Sequence, residues 1–330
     1  MDASPVLLAD IGGTHARFAL GDASADMPLL DDTVRKYPVT GFASLADAAR
    51  GYLRETGART TRAVFAVAAR IDDGQARMTN HPWVISHGRL CRQLDLEHAL
   101  LLNDFAAQAM AIPLLREGDY AVLGGASWAP GRDAGDRIQA VVGPGTGLGV
   151  SALVSRGGEL FPLETEGGHV SFPPGTPEEV AILERLSAHF GRVSTERLVC
   201  GPGLVNIHRA LGEINDEDPG PVTPPDITTR ARAGDPLCMR AVDVFCAVFG
   251  AIAGDLVLTL GAWQGVFLTG GMVPAMLAEL QHSGFRQRFE HKGRFSPAMA
   301  RVPTVAVLHP EPGLLGAAAI ASREPWRQDG

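Results

Sequence analysis

The chain has 330 residues, with 37 acidic against 29 basic side chains, a formal charge of −8 and 45% hydrophobic residues. That composition excludes a largely disordered chain, and the acidic surplus argues against nucleic-acid binding, which needs a basic stripe to displace counterions. The length suggests two domains of ~100–200 residues each. Cys91, Cys200, Cys238 and Cys246 show no CxxC spacing, so neither a disulfide framework nor a zinc site is expected, and a reducing, cytoplasmic setting fits. No charged and apolar leader precedes Asp10, so no signal peptide is read. The apolar stretch Ala241 to Leu260 carries Asp243 and Asp255 and reads as a buried helix, not a membrane span.

In chain order, Val6–Ala9 and Ala16–Leu20 are apolar runs separated by Gly12-Gly13, which predicts a hairpin with a glycine-rich turn. A third strand is expected at Thr33–Val39. Ser44 stands at a helix N-cap before Leu45, Ala48, Ala49, Tyr52 and Leu53, and Gly57 stops the helix. Ala63–Ala68 and Ala99–Leu102 read as strands covered on both faces, with a helix over Phe105–Ile112. Trp83 reads as core, with its polar neighbours Asn80 and His81 left open. After Pro113 and polar turns at Gly124–Asp136, the opening plan returns as Ile138–Val142, a turn at Gly143–Gly149, and Val150–Val154. This weak internal similarity suggests two domains built alike. Helices follow at Glu178–Phe190 and Pro236–Leu260, strands at Val266–Leu268 and Val305–Leu308, and a closing helix at Leu314–Ala321; Asn215–Pro225 reads as a surface loop. The fold class is α/β, mixed sheets flanked by helices.

Three glycine turns follow apolar runs: Gly12-Gly13-Thr14, Gly143–Gly149 and Gly270-Gly271. Glycine lets backbone amides approach a phosphate, although one such turn alone is more often a tight hairpin. Three together point to a nucleotide. The GxxxxGK[ST] loop is absent, the only lysines being Lys36 and Lys292. The turn Gly143-Pro144-Gly145-Thr146-Gly147-Leu148-Gly149 lacks GxGxxG register and precedes a strand, which disfavours a dinucleotide fold.

An ordered set of motifs then carries a resemblance. Ala9-Asp10-Ile11-Gly12-Gly13-Thr14, Leu102-Asn103-Asp104-Phe105, the Gly143–Gly149 turn, Glu166-Gly167-Gly168-His169, Ser194-Thr195-Glu196-Arg197, Gly201-Pro202-Gly203-Leu204, Gly270-Gly271 and Gly313-Leu314-Leu315-Gly316 span nearly the whole chain. Together they resemble the bacterial glucokinases of the actin-like, hexokinase-type ATPase superfamily. His15 stands where many relatives have asparagine, and the cysteine-rich zinc motif of the related repressor and kinase group is missing. The resemblance implies two actin-like (ribonuclease H-like) domains around a cleft that closes on glucose, a small one over residues 1–112 plus 311–330 and a large one over 113–310. It also implies a homodimer, while charge and composition lead to the expectation of no nucleic-acid or membrane partner.

Phosphoryl transfer to an alcohol needs the hydroxyl and γ-phosphate held in line, a carboxylate to take the proton, and a divalent ion. Asp104 follows an apolar strand and opens a helix, where α/β sites form, although a helix N-cap is the alternative use of such an aspartate. The resemblance makes Asp104 the base and a sugar contact. It makes Asn103, Glu166, His169 and Glu196 sugar-hydroxyl ligands, where otherwise His169 reads as a core histidine and Glu196 as a helix-end charge. Glu164 rivals Glu166, and the spacing to Gly167-Gly168-His169 favours Glu166. Ala9, Asp10, Ile11, Gly12, Gly13, Thr14, Gly143, Gly145, Thr146, Gly147, Gly270 and Gly271 are implied to surround ATP, with Asp10 holding magnesium through water. The implied reaction is phosphorylation of glucose at its 6-hydroxyl. The rivals are a kinase for fructose or an N-acetylhexosamine, a sugar-sensing regulator without chemistry, and a filament subunit. A regulator would carry a DNA-binding extension or lack the base.

Overall fold

The computed structural model describes residues 5–78, 83–130, 135–218 and 220–323, so Asn80 and His81 lie outside the described residues. The chain forms two compact units, one of Met1–Arg116, Leu160–Glu164 and His309–Gly330, the other of Glu117–Glu159 and Thr165–Leu308.

In the first unit the strands are β1 (Val6–Ile11), β2 (His15–Gly21), β3 (Leu29–Pro38), β4 (Arg62–Val67), β5 (Ile71–Asp72), β6 (Gln75–Arg77), β7 (Val84–Ser86) and β8 (His98–Asn103). They make a five-stranded sheet ordered β3-β2-β1-β4-β8 and a small sheet β5-β6-β7. β1 and β2 form the expected antiparallel hairpin, while β1, β4 and β8 run parallel. The apolar runs of β1 and β4 are buried because helices cover the sheet. These helices are α1 (Leu45–Thr56), α2 (His87–Leu94) and α3 (Asp104–Ala111). The Ser44 side chain caps α1 by accepting from the Asp47 amide, and Gly57 ends it in the left-handed conformation at φ 68°. Trp83 is buried in the core, as expected.

The second unit repeats the plan. Its strands are β9 (Tyr120–Gly124), β10 (Arg137–Pro144), β11 (Leu148–Arg156), β13 (Val266–Leu268) and β14 (Thr304–Val307), and β12 (Glu159–Glu164) starts in it at Glu159, its remaining residues being counted with the first unit. The sheet order is β12-β11-β10-β13-β14-β9. Again an antiparallel hairpin, β10–β11, is followed by parallel strands, β13 and β14. The helices are α4 (Pro177–Phe190), α5 (Gly201–Ile214), α6 (Pro224–Arg232), α7 (Pro236–Leu260), α8 (Met272–Ala275), α9 (Leu277–His282), α10 (Phe285–Glu290) and α11 (Ser296–Met299); α12 (Pro312–Ala321) returns to the first unit. Among the described residues α7 alone is long and apolar enough to cross a membrane, yet most of it is packed inside the unit, as a core helix. The four cysteines are free, three of them buried.

Some elements differ from expectation for local reasons. β3 begins at Leu29, not Thr33, because Leu29 and Leu30 pair with Gly21 and Leu20 before a register shift. α5 was hidden by Gly201-Pro202-Gly203, which reads as a turn. Proline is tolerated in the first helical turn, and a Cβ at Gly203 would overlap the Leu198 carbonyl. The loop after Asn215 ends at Thr223, whose reciprocal bonds with Asp226 form a capping box that starts α6.

His208 on α5 is buried, its Nε2 3.5 Å from Cys238 Sγ, and its Nδ1 has no partner. Burial, above all, holds this imidazole below its ordinary pKa of 6.5, so the fold binds it neutral. The unfolded chain therefore takes up a proton more readily, and stability falls as pH drops below 6.5. His208→Gln is expected to flatten the decline of Tm between about pH 6.5 and 5, read by thermal melts across that range.

Candidate active-site residues in the two units

In the first unit, strand register aligns the functional ends. Ile11 pairs with Val67, and Val67 with Asn103, so the carboxyl ends of β1, β4 and β8 finish together. The Gly12–Thr14 turn and Asn103-Asp104 thus leave the same edge of the sheet, where parallel α/β sheets carry their sites. Ala9 and Ile11 are buried in β1, with Asp10 at the edge of solvent. Gly12 closes the hairpin by donating to the His15 carbonyl at 3.0 Å, and the exposed Thr14 accepts from the Val39 amide at 3.1 Å.

Asp10 pairs in register with Arg17, whose Nη1 lies 3.3 Å from Asp10 Oδ2 while its Nε lies 3.1 Å from Glu311 Oε2. Burial pushes the Asp10 carboxyl above its ordinary value, with Arg17 pulling the other way. Burial likewise raises Glu311. His15 is held below the ordinary imidazole value, first by burial and then by Lys36 and Arg17. A Cβ on Gly313 would lie 2.7 Å from Asp10 Cγ, so the start of α12 is shaped around this carboxylate.

The cap of α3 is Asn103, not Asp104. Asn103 Oδ1 accepts from the Phe105 amide at 2.9 Å and the Ala106 amide at 3.3 Å. The N-cap alternative for Asp104 is therefore displaced by one residue, although Asp104 Oδ1 also accepts from the Phe105 amide at 3.0 Å. The Asn103 amide itself donates to Glu164 Oε1 at 3.0 Å.

In the second unit, β10 and β13 end side by side. Gly143 packs so closely that a Cβ would lie 2.6 Å from the Thr269 carbonyl oxygen; Gly270, at φ 83°, is equally close to the Pro144 carbonyl. Two of the three glycine turns are therefore one structure. Gly145 donates to the Gly147 carbonyl and accepts from the Gly201 amide, both at 2.8 Å, which ties the turn to α5; Thr146 is exposed at its tip.

Glu166, His169 and Glu196 come together beside this turn. His169 Nε2 is 3.9 Å from Glu166 Oε2 and its Nδ1 3.9 Å from Glu196 Oε1. With 57% of its side chain exposed, His169 is not a core histidine. Glycines 167 and 168 bring this segment against β11: a Cβ at Gly167 would lie 2.9 Å from Val150, and one at Gly168 would overlap the Leu148 carbonyl. Thr195 locks the two segments by donating its buried hydroxyl to Gly168 O at 2.7 Å. Arg192 donates to the His169 carbonyl at 2.7 Å. The Cys200 thiol, raised to about 11 chiefly by burial, donates to the Glu196 carbonyl at 2.9 Å.

Arg17, Glu311, Arg192, the Thr195 hydroxyl bond and the contact of Glu164 with the Asn103 amide are absent from the sequence-based expectations. Arg17 had a readable signal, since a hairpin turning at Gly12–Thr14 sets it opposite Asp10. The others are brought in by chain segments distant in sequence.

A family model described as Glucokinase matches residues 7–324. The glucokinase of Stenotrophomonas maltophilia (strain K279a) is 65% identical over 321 residues, covering 97% of this chain and 96% of that protein. The crystal structure of a glucokinase from an Antarctic psychrotroph is similar at a TM-score of 0.84 and 34% identity, covering 96% of this chain and 98% of that one. A ROK family glucokinase from Streptomyces griseus, in complex with glucose and AMPPNP, shares the fold at a TM-score of 0.64 and 19% identity, with 96% and 99% covered. On this agreement of sequence and fold along its length, the chain belongs to the glucokinase family, enzymes that phosphorylate glucose.

Proposed function

We propose that this enzyme transfers the γ-phosphoryl group of ATP to the 6-hydroxyl of glucose, with Asp104 as the base. The observation that carries the sugar assignment is the grouping of Glu166, His169 and Glu196 around one imidazole at 3.9 Å. Carboxylates and an imidazole so arranged accept and donate to the ring hydroxyls of a hexose, each charge-assisted bond contributing about 1.5–3 kcal/mol. Asn103 and Asp104 supply further hydroxyl contacts. Capping consumes Asn103 Oδ1, so its side-chain amide hydrogens are what it offers the sugar.

ATP is the co-substrate in this reading. The Streptomyces griseus relative holds glucose with AMPPNP, and the Cβ positions of Gly145 and Gly271 here face open space, where no side chain would hinder a phosphate. Asp10 fits magnesium. It is a hard oxygen donor whose burial is only partly offset by Arg17, so a cation beside it relieves that cost. Asp10 would hold the ion, which would neutralise charge on the transferred phosphate.

A coupled assay over a panel of sugars tests the reading. ADP release is expected to depend on glucose, and Glu196→Gln to raise the KM for glucose about 10–100-fold. ATP turnover independent of any sugar would overturn it; a higher kcat/KM for fructose or an N-acetylhexosamine would transfer it to that sugar.

A further inference from the structure

We propose that Gly147 and Leu148, in the turn assigned above to the nucleotide, serve the sugar side of the reaction by positioning Glu196. This rests on the reading of Glu196 as a glucose ligand. The Leu148 amide donates to Glu196 Oε2 at 2.9 Å, and a Cβ at Gly147 would lie 2.5 Å from the same oxygen. The carboxylate therefore occupies the space that any side chain at 147 would take. Backbone conformation does not demand glycine there, since Gly147 is not among the described glycines with positive φ. Gly145 gives the contrast: nothing lies within 4 Å of its Cβ position.

The main chain of Glu196 is fixed from elsewhere, by the Cys200 thiol on its carbonyl and by the Thr195 amide donating to Val170 O at 2.9 Å. Only the carboxylate is left to be oriented, and the turn does this. With Oε2 on the Leu148 amide, Oε1 is the oxygen directed at His169. One hydrogen bond thus joins the phosphate turn to a sugar ligand, and displacement of either is felt by the other.

Calorimetric titration of the whole protein with glucose tests this, in the wild-type and Glu196→Ala backgrounds. Gly147→Ala should weaken glucose binding about 10–100-fold in the first, the worth of a charge-assisted bond to a displaced carboxylate, and add no further loss in the second, where the methyl group meets no carboxylate. Unchanged glucose affinity in the first background, or an equal loss in both, would overturn the proposal. Glu196→Gln binding glucose as tightly as the wild type would instead remove the sugar-ligand reading on which it stands. Should Gly147→Ala not fold, hydrogen exchange decides. The Leu148 amide should exchange at least about tenfold faster in Glu196→Ala, as a lost charge-assisted bond implies; an unchanged rate overturns the proposal.

Discussion

Replacing Asp104 with asparagine is expected to lower kcat by about 10²–10⁴-fold, the usual contribution of a positioned general base, while glucose and AMPPNP still bind. The substitution retains size and hydrogen-bonding capacity but cannot accept the hydroxyl proton. Asn103 supplies the cap of α3, so the helix does not depend on the aspartate for its start. The Phe105 amide that reaches Asp104 Oδ1 has Asn103 Oδ1 as a second acceptor at 2.9 Å. Turnover should therefore fall without a matching loss of stability. Steady-state kinetics paired with calorimetric binding separates the two, and a kcat within a few-fold of wild type would take the base role from Asp104.

Gly316→Ala should have the largest effect on stability. α12 lies against α3 so closely that a Cβ at Gly316 would overlap the Ala107 carbonyl oxygen, with the Ala111 amide nitrogen 3.2 Å away. These are backbone atoms of a helix and cannot swing aside as a flexible side chain would. Overpacking of this kind costs about 3 kcal/mol or more when the neighbour is rigid. At roughly 1.4 °C per kcal/mol for a chain of 330 residues, Tm should fall by about 4 °C or more. The same methyl group would be harmless at an exposed helical position, where alanine improves on glycine. A melting curve that matched wild type would show that the two helices separate at little cost.

Much of the fold was legible because it is written locally. The apolar runs of β1 and β4, the Ser44 cap and the Gly57 stop each announce an element within a few residues. The repeat of hairpin followed by parallel strands was visible in the resemblance of Leu7–Thr14 to Ala140–Gly147, and both sheets bear it out. What escaped was written at a distance. α5 begins with Gly201-Pro202-Gly203, which carries no helix signal, and Gly203 is there for its close contact with Leu198. Gly167-Gly168 stands in the motif with no purpose legible from spacing, and the structure shows that the pair permits close packing on β11. Glu164 was weighed as a rival ligand to Glu166. Its carboxylate instead accepts from the Asn103 amide, a partner sixty-one positions away that no spacing reveals.

The first unit takes its chain from segments that precede and follow the second unit in sequence. α12, almost wholly buried, packs against β1, β4 and α3. During synthesis these partners emerge early, but the helix that covers them leaves the ribosome only after the whole of the second unit. The second unit's sequence lies mostly ahead of that point, so it can mature on the nascent chain, whereas the unit carrying Asp10 and Asp104 must wait. A product truncated before Pro312 should therefore yield a folded second unit and a first unit exposed to proteases, and chaperone dependence should concentrate in the amino-terminal third.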